Sequence, residues 1–236
     1  MKFMKWFKFG MAALVLSVTV MACVTDAEEL LEDEDIAELI ENALNSKSGG
    51  FDAQLEDMLY LIENYQDQCG QSIDSTFSKE KGLGSIVTYG YTYAWQGVVN
   101  CDSTNTPQDI DFTYTSNGTY TAPRMSSSDD GTYTMNVSGI LPSNTQYNVV
   151  GSYTRVGTQT TKIRNELTFT ATLGVALTQM NIDKTTKNIS AGSATFTVTG
   201  ETAGGETISK EGIITYNGDN TVTVNINNKD YTFDLD

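Results

Sequence analysis

The chain contains no histidine. That removes the Ser-His-Asp and Cys-His nucleophile systems and every imidazole-based metal site. Carboxylates are plentiful, and Asp109, Asp111, Glu166, Glu201, Glu206 and Glu211 lie on or beside segments that read as strands. A two-carboxylate hydrolase would draw on such a set, yet no spacing among them selects an acid and its partner. The arginines are Arg124, Arg155 and Arg164, a poor supply for an anion cluster. There is no phosphate-binding glycine loop. Asp129-Asp130-Gly131 and Asn217-Gly218-Asp219-Asn220 share residue types with calcium loops but not their ligand spacing; these residues are ordinary in turns. The expectation is therefore a non-enzyme with no catalytic residue, no metal and no cofactor, a glycoside hydrolase-like activity being the enzymatic alternative.

The remaining candidates are aromatic. The stretch IVTYGYTYAWQGVVNC, residues 86–101, puts Tyr89, Tyr91, Tyr93 and Trp95 on one side of a strand, with Thr88, Gly90, Thr92, Ala94 and Gln96 on the other. On an open surface the ladder could stack on sugar rings or grip an apolar ligand. Exposing it while burying the small polar side is energetically backward, so the ladder reads first as core and second as a ligand surface. At about 3.3 Å per residue this stretch would reach roughly 53 Å, so a bend is expected at Gly90 or Gly97.

The N-terminus carries basic residues in MKFMKWFKFG, followed by the apolar run MAALVLSVTVMA. The run is shorter than the roughly 20 apolar residues of a membrane-spanning helix and has the size and flanks of a secretory signal. It ends in Val20-Met21-Ala22-Cys23, which resembles the lipobox of bacterial lipoproteins. The resemblance covers about residues 1–29, and the mature domain resembles no family. It implies that residues 1–22 are removed and that Cys23 is acylated, anchoring the chain by more than one lipid. Val24 follows, not the aspartate linked with inner-membrane retention, so the resemblance implies the outer membrane, at its periplasmic or surface face.

With Cys23 assigned, Cys69 and Cys101 remain. An exported chain meets oxidising conditions, so these two are expected to pair.

Net charge is −16, and setting aside residues 1–22, which hold three lysines and no acid, makes it −19. A surface this acidic repels nucleic acid and anionic lipid headgroups. The partners expected are the membrane through the lipid, and an envelope protein, a glycan or an apolar ligand. The competing expectation is an assembly accessory with no ligand site.

Four segments must position these residues. Residues 23–50 form an acidic tether or helix, with Leu30, Leu31, Ala37, Ile40 and Leu44 at helical spacing; they also resemble the acidic surface-export stretch of Bacteroidota-type lipoproteins. Residues 51–84 hold a second amphipathic helix, with Phe51, Leu55, Met58, Leu59, Ile62 and Tyr65 on one face, followed by a linker over 70–84. Residues 85–236 alternate with period two and carry turn signals at Asn117-Gly118, Asp130-Gly131, Gly204-Gly205, NGDN and NNKD. The fold expected is mainly β: an antiparallel meander of about nine to eleven strands, preceded by two short helices, that closes, folds into two layers or is covered, as a barrel, half-barrel or sandwich with the second helix packed on an open face or mouth.

Overall fold

The computed structural model describes residues 31–82, 84–163 and 166–235. The signal segment and Cys23 lie outside the described residues. Helix α1 (Asp33–Leu44) and helix α2 (Phe51–Tyr65) precede ten strands: β1 (Ser72–Lys81), β2 (Thr88–Cys101), β3 (Pro107–Thr121), β4 (Met125–Ser138), β5 (Gln146–Thr161), β6 (Thr168–Asp183), β7 (Ile189–Thr202), β8 (Thr207–Gly218), β9 (Thr221–Ile226) and β10 (Lys229–Asp234). They form one sheet in sequence order, each strand antiparallel to the next.

The sheet is an antiparallel meander, as the period-two pattern requires, but it is neither a closed barrel nor a sandwich. Two helices take the place of a second sheet. Helix α2 borders β1, where Lys79 reaches the Ala53 carbonyl, Glu56 and Asp57, and Phe77 meets Tyr60 edge-on. Helix α1 borders the far edge, where Lys229 pairs with Glu34, and Asn45 Nδ2 and Ser46 N donate to the Asp234 and Leu235 carbonyls. The helix pair thus links both edges of the sheet and covers its apolar face.

The acidic segment is not only a solvated tether. Ile36, Leu39, Ile40, Ala43 and Leu44 of α1 are buried in the core. Its acids meet bases from the sheet and one of its turns: Asp33 with Lys210, Glu34 with Lys229, and Glu38 with Arg124 of the β3–β4 turn. Asp33, Glu34 and Asp35 occupy the first turn, where the helix dipole favours negative charge. Glu32 and Asp35 close it with a reciprocal capping box.

Several local expectations are corrected. The linker over 70–84 contains strand β1, so β2 is not the opening strand. Only Ile73 and Phe77 mark β1 as apolar, because an edge strand lies against helix α2 instead of a full core layer. Strand β2 runs through Gly90 and Gly97 unbroken, and its irregularity falls at Asn100/Cys101. Asn117-Gly118 and Asp130-Gly131 are not turns; they sit inside β3 and β4. Their glycines serve packing: a Cβ on Gly118 would lie 2.4 Å from the Tyr91 ring and 2.3 Å from the Gly90 carbonyl. Gly118→Ala should therefore destabilise the fold by about 1–3 kcal/mol through overpacking, read as a lower urea midpoint; an unchanged midpoint would refute this role. The turn that does use paired asparagines is Asn227-Asn228, both at positive φ, as a two-residue hairpin needs.

Candidate functional site

The disulfide forms as expected: Cys69 and Cys101 are bonded, with Cα atoms 5.7 Å apart. It joins the segment after α2 to the end of β2, next to a backbone bond from Gly70 N to the Val99 carbonyl of 2.9 Å.

The tyrosine ladder faces the helices. Tyr91, Tyr93 and Trp95 are buried, Trp95 and Tyr93 at 0% exposure, while Tyr89 is half-buried at the rim. As a ligand surface the ladder is corrected to core, because helix α2 and the Gly49-Gly50 turn lie over it. Gly49 is at φ 73°, and a Cβ there would stand 2.9 Å from both the Tyr89 and Tyr91 rings. Only glycine allows so close an approach at that backbone angle. Tyr93 donates its hydroxyl to the Gly49 carbonyl at 2.8 Å, and Tyr114 donates to Gln54 Oε1.

Register then builds a second ladder, running across the strands instead of along one. Trp95, Tyr114, Tyr133 and Tyr153 are directly paired from β2 to β5. Their rings stack in series with centroids 3.9, 3.9 and 5.0 Å apart, and Phe51 of α2 continues the row from Tyr153 at 5.7 Å. The rings lie within 10–25° of parallel, and such stacking adds to area burial. Burial pushes the phenols of Tyr91, Tyr114 and Tyr153 well above their ordinary range, so all three stay neutral; Tyr91 and Tyr114 donate to Asp129 and Gln54, whereas the Tyr153 hydroxyl has no partner.

Beneath α1 the apolar layer holds a charge pair that sequence reasoning missed. Arg155 donates to Asp129 through Nε at 2.6 Å and Nη2 at 2.9 Å. Ser127 Oγ donates to the same carboxylate at 2.7 Å and the Tyr91 hydroxyl at 3.1 Å. The Asp129 side chain is 0% exposed and that of Arg155 7%. Burial works against the guanidinium charge, but Tyr91 and Asp129 outweigh it and hold the Arg155 pKa well above its usual value. Arg155 also lies over the Tyr91 and Tyr120 rings, 5.3 and 5.8 Å from their centroids. Arg155 Nη1 and Gln159 Oε1 have no hydrogen-bond partner. Both residues border a cavity of about 10 Å³, the scale of a single water. The only sequence signal for this node was the inward parity of Asp129 and Arg155 on their strands.

The six carboxylates named from the sequence are dispersed over the sheet and its loops. Asp109 and Asp111 come together on β3, and the side-chain amides of Asn100 and Asn136 bridge both. Glu201 and Glu211 occupy the outer face of β7 and β8, and Glu166 and Glu206 lie in loops. Among the described residues no three His, Cys, Asp or Glu side chains cluster as metal ligands, and neither calcium-like turn sequence gathers such a set.

A further cavity lies on the opposite, outward side. A groove of about 500 Å³ crosses β1 to β5, bordered by the buried, inward-facing Trp95, Tyr114, Tyr133 and Tyr153 and lined on its outward side by Asp74, Ala94, Gln96, Thr113, Thr115, Thr132, Thr134, Ser152 and Thr154. Two rows of residues in register form its floor: Ala94–Thr115–Thr132–Thr154 and Gln96–Thr113–Thr134–Ser152. The side chains are short, so the groove is shallow, hydroxyl-rich and reachable from solvent. Its lining offers hydroxyl, amide and carboxylate groups for hydrogen bonding. Comparisons of the chain with protein-family models, with curated proteins and with solved structures find no match.

Proposed function

We propose that the chain is a lipid-anchored, non-catalytic protein of the cell envelope, held at the outer membrane through Cys23, that binds a partner protein on the outward face of its sheet. One observation carries the binding part. The inward face is filled by α1, α2 and the aromatic stack, whereas the outward face holds an accessible groove of about 500 Å³. The lipobox-like Val20-Met21-Ala22-Cys23 supports the anchor.

Fractionation of cells expressing the wild-type and Cys23→Ala chains tests the anchor. The wild type is expected with the outer membrane and the variant in the soluble fraction. A variant that still sediments with membranes after a high-salt wash would contradict lipidation. A photo-crosslinking residue at Thr134, inside the groove, should give a discrete adduct in intact cells; the same residue at Thr223, outside it, should not. Absence of the Thr134 adduct, or equal adducts from both positions, counts against the groove as the binding face.

A further inference from the structure

The charges on the strands are segregated by face. Among the described residues, the strand-borne bases are Lys79, Lys81, Arg155, Lys210 and Lys229, and all five take the inward alternation. Their register partners show it: Lys79 opposes Tyr91, Lys81 opposes Tyr89, Arg155 opposes Leu173, Lys210 opposes Val198 and Lys229 opposes Ile226. Four of them are engaged by acids, in Lys79–Asp57, Arg155–Asp129, Lys210–Asp33 and Lys229–Glu34. The outward alternation carries no lysine or arginine, while carboxylates recur along it.

Three carboxylates frame the groove. Asp74 lines it. Asp111 is two residues from the lining Thr113 on β3, and Asp130 two residues from Thr132 on β4, all on the outward side. Asn100 and Asn136 hold the Asp111 carboxylate, and Asn117 holds that of Asp130, so both are oriented at the rim. Among the described residues no aromatic side chain takes the outward alternation: Trp95, Tyr114, Tyr133 and Tyr153 border the groove, but they take the inward alternation and are buried. A sugar ring would find no stacking platform there. An extended peptide bearing cations would find carboxylates at the rim and hydroxyl acceptors on the floor, with no competing base on the face.

Resting on the reading of the groove as a partner-binding face, we infer that its partner is a basic polypeptide segment, whose lysine or arginine side chains are taken between Asp74, Asp111 and Asp130. The probe is deca-lysine, titrated against the full lipidated chain in detergent micelles at low ionic strength. Deca-glutamate and a neutral chito-oligosaccharide serve as comparators. Binding of deca-lysine alone is expected, and it should weaken as salt is added.

The triple variant Asp74→Asn/Asp111→Asn/Asp130→Asn should lose about tenfold in affinity or more, in line with three partly exposed charge contacts. Glu201→Gln/Glu211→Gln/Asp230→Asn removes equal charge from the same face outside the groove and should change affinity less than about threefold. Thr132→Lys, which places a cation in the groove and leaves the carboxylates intact, should also weaken binding. Equal losses from the two triple variants would overturn the inference, reducing the effect to overall charge. So would binding of the oligosaccharide in preference to deca-lysine, or no deca-lysine binding. In any of those cases a Thr134 adduct in cells would still stand for the groove as a binding face.

Discussion

Arg155→Met is expected to cost the fold about 3–5 kcal/mol, because it leaves a buried carboxylate without its cation. The Asp129 side chain is fully buried, and Arg155 supplies two of its hydrogen bonds. Ser127 and Tyr91 still donate after the substitution, but neither brings positive charge. Methionine retains most of the aliphatic volume between Tyr91 and Tyr120, so the loss reports the charge more than a cavity. The double variant Arg155→Met/Asp129→Leu should recover most of the loss, since a buried ion pair and a packed apolar pair of similar volume differ little in stability. Urea unfolding of the wild type, the single variant and the double variant decides it. A single variant within about 1 kcal/mol of wild type, or a double variant no better than the single, would show that the pair is not a closed unit.

Loss of the disulfide is the second large effect. Cys69 and Cys101 are 32 residues apart in sequence, and cross-linking a loop of that size restricts the unfolded chain by about 3.7 kcal/mol on the chain-entropy relation. Cys69→Ser/Cys101→Ser should show a loss of that order in urea, and reducing the wild type should reproduce it. The closed loop holds β1 and β2 and ties the segment after α2 to the end of β2, so its removal frees the segment that joins the helices to the sheet. Non-reducing peptide mapping should recover the Cys69 and Cys101 peptides joined. If the wild type and the double serine variant unfold at the same urea concentration, the cross-link does not restrain the unfolded chain as argued.

Most of the architecture was legible because it rests on short-range periodicity. The helical spacing from Phe51 to Tyr65 predicted α2 closely, since an amphipathic helix declares its buried face every three or four residues. The strand alternation from Tyr147, Phe169 and Phe196 onward fell in β5, β6 and β7 for the same reason. Strand β1 was obscured because its apolar side offers only Ile73 and Phe77. Asn117-Gly118 was misread because a dipeptide that suits a hairpin also suits a strand position where a neighbouring ring needs room, and the ring of Tyr91 comes from another strand.

The candidate sites were legible only one strand at a time. Tyr89 to Trp95 form a visible ladder along β2, but the stack Trp95–Tyr114–Tyr133–Tyr153 depends on pairing across four strands. Arg155 and Asp129 are 26 residues apart, and nothing local marks them as partners. The groove likewise needs β1 to β5 in register before its threonines become one surface.

By itself the sequence determined the strand and helix types, the acidic balance, the absence of histidine-based chemistry and which side of each strand is apolar, because these follow from residue identity and spacing. Tertiary structure alone decided that the sheet stays open, that the helices cover its apolar side and that the tyrosines are core. It also decided that the bases are drawn inward to the acids of α1, α2 and Asp129, leaving a uniformly acidic, hydroxyl-lined outer face. The physical reason is register: a side chain's face is set by its own strand, but its neighbours are set by which residues of distant strands and helices are brought opposite it.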